Sequence, residues 1–276
     1  MKINDILNTK DVDINEVYMV LNEILNMSTP EIKLNRNKTL TKKEYKKIYT
    51  VIKKIKNGIP AQYALKKAYF YGFSFYVDKN VLIPRPETEL LVEKTNELIN
   101  KNFKKEKVKI LDIGTGSGVI GITLSKLNKK RIVVATDISS VALKIAKKNS
   151  KLNNACVQYK KTNLYDKVNM KFNVIISNPP YIKKDSLDIE ERVKRTEPHL
   201  ALYAKNDGLY YYEEILKNIK DIIEKEHIIA FEIGENQVQK IKKIIKRELP
   251  DEKIIVKKDY NNFDRYMFIM PKNWTK

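Results

Sequence analysis

From Val108 onward, short apolar, β-branched runs alternate with longer stretches whose apolar residues recur at helical spacing. "VKILDIG", "RIVVATDI" and "FNVIIS" read as strands, and "GVIGITLSKL" and "SSVALKIAKKNSKL" read as helices between them. Such alternation implies an α/β chain with a mostly parallel sheet, because each parallel connection must cross a face of the sheet and a helix covers it. "GLYYYEEILKNIKDIIEKE" is expected as one long helix. "HIIAFEIG", "KIIVKKDY" and "RYMFIMPK" add further strands, with the helix "ENQVQKIKKIIKREL" between the first two. A short turn containing "NNFD" joins the last two strands, so an antiparallel strand is expected near the C-terminus.

The segment before this alternation is of another kind. "INEVYMVLNEIL" has helical spacing, and "TKKEYKKIYTVIKKIKNG" opens with Thr41 and Glu44 in capping-box positions and closes at Gly58. "AYFYGFSFYVDKNVLIP" is aromatic and β-branched around a central glycine, the pattern of a hairpin. The expected organisation is a small N-terminal helical domain over residues 1–66, a β-hairpin linker over 67–86 and a sheet domain over 87–276.

Composition excludes several classes of function. One cysteine, Cys156, cannot form an internal disulfide, and with two histidines it offers no metal cluster. No run approaches the roughly 20 apolar residues that cross a bilayer, and "MKINDILNTK" lacks a signal peptide's apolar core, so a cytoplasmic protein with no membrane partner is expected. The net charge of +20 would draw the chain toward acidic surfaces, but lysines are spread along its whole length, as a solvated surface would have them.

Chemistry concentrates at two strand ends. "KILDI" runs into "GTGSGVIG", where Gly114, Gly116 and Gly118 let the backbone turn tightly and approach a ligand before a helix begins. Gly116, Gly118 and Gly121 also satisfy the dinucleotide pattern G-x-G-x-x-G. Asp137 ends the next strand, where a carboxylate can accept from both hydroxyls of an adenosine ribose. Two ligands compete for such a loop, a nicotinamide dinucleotide and S-adenosylmethionine. Asp112 favours the second, because a carboxylate beside the loop would repel a pyrophosphate and attract a sulfonium or ammonium.

The other strand end is "FNVIISNPPY". Proline at 179 turns Asn178 away from helix, and two consecutive prolines leave the corner little freedom to lose on binding. The Asn178 side-chain oxygen and the Pro179 carbonyl are acceptors, and Tyr181 offers a flat ring. Two acceptors and a ring suit a planar NH2 group held for methylation. Read without the glycine loop, Asn178 to Tyr181 fit a simple strand-ending turn as well as a binding corner.

Together these residues resemble the HemK/PrmC family, the N5-glutamine methyltransferases that modify the Gly-Gly-Gln loop of class 1 peptide-chain release factors. "GIPAQY", "FYGFSFYVDKNVLIPRPETELLV", "EPHLAL", "DGLYYYEEIL" and "FEIGENQ" carry the resemblance over almost the whole chain, and "LIPRPETE" is its most telling segment. It implies a Rossmann-like class I S-adenosylmethionine-dependent methyltransferase sheet with an N-terminal domain that docks the release factor. By position it assigns Gly114, Thr115, Gly116, Ser117, Gly118, Asp137, Leu164 and Asn178 to the cofactor. It assigns Asn178, Pro179, Pro180 and Tyr181 to the substrate glutamine, with Asn178, Pro179 and Tyr181 catalytic. Asn163 stands where the family commonly has aspartate, and "ALYAKNDGL" lacks a glycine pair often found before Asp207-Gly208. An adenine-N6 DNA methyltransferase would use the same corner on a flipped base, but no inserted region for reading base edges is legible, so no stable nucleic-acid partner is expected.

Overall fold

The computed structural model describes residues 1–103, 107–184, 186 and 189–274. It divides into two compact units, Met1–Lys67 with Glu190–Thr196, and Ala68–Ile189 with Glu197–Lys276.

The first unit is helical, with α1 (Ile3–Leu7), α2 (Ile14–Leu25), α3 (Thr29–Leu34), α4 (Lys42–Lys56) and α5 (Ala61–Leu65). α4 starts at the expected capping box: the Thr41 hydroxyl accepts from the Glu44 amide at 3.2 Å, and Glu44 accepts from the Thr41 amide at 2.8 Å. Ile48, Ile52 and Ile55 lie on one face of α4 and are buried with Val17, Val20 and Leu21 of α2. The Arg192 guanidinium clasps both oxygens of Glu16 at 2.8 and 2.9 Å and donates to the Ile59 carbonyl at 2.8 Å.

The second unit opens with a hairpin of β1 (Ala68–Phe70) and β2 (Phe73–Phe75), turning at Tyr71 and Gly72, both at positive φ. α6 (Pro86–Asn102) follows, with proline in its first turn. Then come β3 (Lys109–Ile113), α7 (Val119–Leu127), β4 (Ile132–Asp137), α8 (Ser140–Leu152), β5 (Val157–Lys161), β6 (Phe172–Ser177) and the short β7 (Ile182–Lys183). After α9 (Glu191–Thr196), which belongs to the helical unit, the chain continues as β8 (Tyr203–Ala204), α10 (Tyr210–Lys217), β9 (Ile223–Glu232), α11 (Val238–Glu248), β10 (Glu252–Lys258) and β11 (Asp264–Pro271).

Seven strands form one sheet in the order β10-β11-β9-β6-β3-β4-β5. β9, β6, β3, β4 and β5 are parallel, and β11 runs antiparallel between β9 and β10. The α/β class, the parallel body and the antiparallel strand near the C-terminus all stand as the sequence implied. Each face of the sheet carries its own apolar core, one with α10 and α11 against it and the other with α6 and α7. The chain winds from β3 out to β5 and then returns to β6 and β9, so strand order reverses beside β3, where open parallel sheets bind ligands beyond their carboxyl ends.

Three elements differ from their sequence reading. The long helix expected after Gly208 stops at Lys217, and a 3-10 turn at Ile219–Asp221 leads into β9 at Ile223. Ile222 and Ile223 are β-branched and buried, and pairing of Ile223 with Phe172 of β6 outweighs the helical spacing of "KNIKDIIEKE". β5, "VQYKK", is an edge strand too polar for the apolar-run criterion to find. α6 begins inside "LIPRPETE", where two prolines break the helical spacing that would signal it.

Candidate active site

Beyond the carboxyl ends of β3, β4 and β6 the second unit has a cleft of about 320 Å³. β3 delivers Ile113 and Gly114 to it, β4 delivers Asp137, and β6 delivers Ser177 and Asn178. Parallel register sets Ile113 opposite Ser177 on one side and opposite Thr136 on the other, and the Ser177 hydroxyl donates to the Ile113 carbonyl at 2.8 Å.

The glycines divide into two roles. Gly114 and Gly116 sit at positive φ with open space where a Cβ would stand, so the backbone can be approached closely from the cleft. Gly118 and Gly121 serve packing instead: a Cβ on Gly118 would lie 3.1 Å from the Ala146 Cβ, and one on Gly121 would lie 3.0 Å from Asp112. Thr115 and Ser117 are buried and do not line the cleft; the Thr115 hydroxyl donates to Asp112 at 2.5 Å, and the Ser117 carbonyl accepts from Asn149 at 2.8 Å. Of the five loop residues assigned to the cofactor by resemblance, Gly114 and Gly116 face the cleft while Thr115, Ser117 and Gly118 hold the loop's shape.

Asp112 is corrected by the structure. It is fully buried beneath the loop, with Oδ2 accepting from Thr115 and from the Gly121 amide at 3.0 Å, and it does not line the cleft. Burial pushes its carboxyl up to about 7 against those two hydrogen bonds. Its role is a brace for the strand-to-helix turn, and an attraction for a sulfonium is not carried by this geometry.

Asp137 does line the cleft. One oxygen accepts from the Gly116 amide at 2.9 Å and the other from the Ser139 amide at 2.8 Å. A carboxylate has about four lone-pair positions, so with these amides on it Asp137 keeps acceptor capacity for a ligand. Burial raises its carboxyl above the usual range, offset in part by these amides. Asn163 and Leu164 form another part of the wall, Leu164 with φ at +43°, a conformation unfavourable for a branched side chain. Strain of that kind persists where surrounding structure enforces it, often at binding sites. The open glycine backbone, the spare acceptors of Asp137 and this apolar wall fit a nucleoside with its ribose on Asp137.

At the corner, Asn178, Pro179 and Pro180 line the cleft. The Asn178 Nδ2 donates to the Thr88 hydroxyl at 3.1 Å, whereas the Asn178 Oδ1 and the Pro179 carbonyl accept nothing among the described residues. Tyr181 stands differently from its sequence reading. Its half-buried ring packs against the core, its hydroxyl is 3.4 Å from Glu232, and it is not among the residues lining the cleft. The Tyr181 carbonyl accepts from Gln237 at 3.0 Å, and a Cβ on Gly208 would collide with that carbonyl, so "DGLYYY" and "FEIGENQ" both clamp the corner from behind.

Sequence reasoning missed Thr88 and Glu232 as parts of this site, and Pro198, Leu200 and Tyr211 as parts of its wall. The signal was present in the family segments: Glu197 of "EPHLAL" is buried, takes the Arg85 guanidinium of "LIPRPETE" at 2.5 Å and accepts from the Ile83 amide at 3.1 Å.

Comparison with known proteins bears on the family and the fold. The methyltransferase small domain family model matches residues 88–200. A release factor glutamine methyltransferase from Mycoplasma mycoides is 38% identical over 275 residues, covering 97% of this chain and 96% of that protein. Its namesake from Bacillus cereus is 36% identical over 260 residues, covering 93% and 92%. Among solved structures, a methyltransferase from Pyrococcus furiosus superimposes with a TM-score of 0.54 at 17% identity, over 72% of this chain and 89% of that one. The human methyltransferase 10 domain containing protein does so at 0.54 and 17%, over 73% and 90%, and both likenesses concern the fold alone. With relatives this similar along nearly its full length, the chain belongs to the release factor glutamine methyltransferase family.

Proposed function

We propose that this protein transfers a methyl group from S-adenosylmethionine to the side-chain amide nitrogen, N5, of the glutamine in the Gly-Gly-Gln motif of class 1 peptide-chain release factors. The observation that carries the reading is the corner at Asn178. Thr88 takes the amide hydrogen of Asn178, and the two remaining acceptors, Asn178 Oδ1 and the Pro179 carbonyl, have no protein donor among the described residues.

S-adenosylmethionine, when bound, supplies an electrophilic methyl on a sulfonium whose departure leaves a neutral thioether. Asp137 would hold the ribose hydroxyls with its free lone pairs, and Gly114 and Gly116 would let the backbone close on the rest of the molecule. Asn178 and Pro179 accept the two hydrogens of the glutamine NH2 and turn its nitrogen toward the cleft. An amide nitrogen is a poor nucleophile because its lone pair is shared with the carbonyl, so positioning is the main device, worth up to about 7–11 kcal/mol in the best intramolecular cases. While still cationic the methylated amide is strongly acidic, and its proton passes from the accepting oxygens to solvent without a dedicated base.

The helical unit is assigned to docking the release factor, and its lysine-rich surface suits an acidic partner. Among the described residues no helix is long and apolar enough to cross a membrane, and we place the protein in the cytoplasm with its substrate. Nothing in the cleft favours adenine in DNA over glutamine, and the named relatives favour the latter. Incubation with S-adenosylmethionine and purified release factor, read by mass spectrometry, should add one methyl group to the Gly-Gly-Gln glutamine. Methyl transfer to DNA adenine with that glutamine untouched would overturn the substrate.

A further inference from the structure

Behind the corner lies a buried chain of hydrogen bonds for which substrate binding gives no direct use. The Asn178 Nδ2 donates to the Thr88 hydroxyl at 3.1 Å, and that hydroxyl donates to Glu232 Oε2 at 2.7 Å. Thr88 and Glu232 are buried, at 4% and 2% exposure, so water does not substitute for either. Tyr212 secures the end of β9 by donating to the Glu232 main-chain carbonyl at 2.8 Å. α6, the strand end at 178, β9 and α10 thus converge on one residue, Glu232, the first through its carboxylate and the last through its main-chain carbonyl.

We propose that Glu232, acting through Thr88, is the positioning residue that fixes which end of the Asn178 amide faces the cleft. This rests on the methyl-transfer reading above. The logic is a count of protons. A threonine hydroxyl has one hydrogen, and an ionised carboxylate can only accept. With Glu232 ionised, Thr88 must spend its hydrogen on Glu232 and can offer Asn178 only a lone pair. Asn178 must therefore aim its NH2 at Thr88, which leaves Oδ1 toward the cleft, where an acceptor for the substrate amide is needed. The inverted amide would present NH2 to NH2, and the substrate would lose one of its two holding bonds.

Protonation of Glu232 releases the constraint. A neutral carboxyl can donate to Thr88, the hydroxyl can then donate to Asn178, and either end of the amide is accommodated. Burial pushes the Glu232 carboxyl up to about 7. The groups facing it are Thr88 and Glu87 of α6, Tyr181 of the corner, Tyr212 of α10, and Arg265 and Tyr266 of β11, with Asp259 paired to Arg265 at 3.1 Å. Arg265 favours the ionised form and Glu87 opposes it. The lock is therefore incomplete in acid and engaged above neutrality.

The test uses the full chain. Thr88→Val keeps the shape and removes the relay, so kcat should fall about tenfold or more, the loss expected for one hydrogen bond to a positioned group, with S-adenosylmethionine affinity unchanged. Thr88→Ser should restore most of that loss. The rate of the native enzyme should rise with pH through about 7, and Glu232→Gln should abolish that step. Independently of activity, the side-chain amide NMR signals of Asn178 should titrate with the same midpoint in the native protein and not in Glu232→Gln. Native kcat and pH profile in Thr88→Val, or a pH step retained in Glu232→Gln with no titration of the Asn178 amide, would overturn the positioning role. A native enzyme that leaves release factor unmodified while its Asn178 amide still titrates would overturn the substrate reading and leave the relay standing.

Discussion

The residues of the site act in pairs, and single substitutions should be read accordingly. Asn178→Ala removes the free acceptor, and the rate should fall at least ~10²-fold, as for loss of one preorganised hydrogen-bonding group, with cofactor affinity kept within about threefold. Asn178→Asp keeps an oxygen toward the cleft but offers Thr88 no hydrogen, so two carboxylates would compete for one hydroxyl. It should fail nearly as badly as alanine at neutral pH; single-turnover rates with saturating cofactor decide, and an aspartate variant near native rate would sink this account. Asp112 and Glu232 also tie stability to pH. Both carboxyls are raised to about 7 in the folded protein, while unfolded Asp and Glu titrate near 3.9 and 4.3. Between about pH 4 and 7 the folded state holds protons that the unfolded chain has lost, so each group contributes stability in acid that is lost as pH rises, by up to about 1.4 kcal/mol per pH unit. Urea midpoints should fall from pH 5 to pH 7, and Asp112→Asn should flatten the fall; equal slopes in native and variant would refute it.

Single elements have consequences beyond their own residues. β6 is buried at every residue but Asn173 and leads directly into Asn178, so the corner inherits the rigidity of a central strand paired on both sides. α9 is too short to be stable alone. What holds it within the helical unit is Arg192, bidentate to Glu16 and bonded to the Ile59 carbonyl. The pair is partly exposed, so its worth is discounted for solvent screening, and Arg192→Ala should cost on the order of 1–2 kcal/mol. Hydrogen exchange should rise at residues 190–196 and at the start of α5, where Glu16 also holds the Ala61 amide at 2.9 Å. Unchanged exchange at both places would mean that the arginine clasp does not secure α9.

For the molecule as a whole, the division of labour between units is the testable matter. Deleting residues 1–66 should leave S-adenosylmethionine affinity nearly intact, because every residue lining the cleft lies in the second unit. Methylation of intact release factor should fall by at least about tenfold if the helical unit supplies docking energy of ~1.4 kcal/mol or more. A short peptide carrying Gly-Gly-Gln is the control, since residues 190–196 also lose their partners in this variant; an equal loss on the peptide would place the damage in the cleft instead. The charge of +20 predicts that kcat/KM for intact release factor falls as salt rises while the peptide reaction changes little, and parallel salt curves would assign the lysines no role in docking.

Periodicity and turn chemistry are local properties, so the parallel sheet, the Thr41 capping box, the glycine turn and the proline corner were legible in the linear sequence. β5 and the true length of α10 were not, because an edge strand's polarity and the conversion of "IIEKE" into β9 depend on which strands pair. The same holds within the site. Asp137 and Asn178 could be placed in the cleft by reading where their strands end, since a strand end in a parallel sheet has one address. Asp112, Tyr181, Thr88 and Glu232 could not, because the direction of a side chain at a strand end or on a covering helix is settled by what packs against it. Tertiary packing turned Asp112 inward beneath its own loop and drew the Tyr181 ring into the core. It also joined Thr88 to Glu232 across 144 residues of sequence, a contact that exists only once α6 lies against β9.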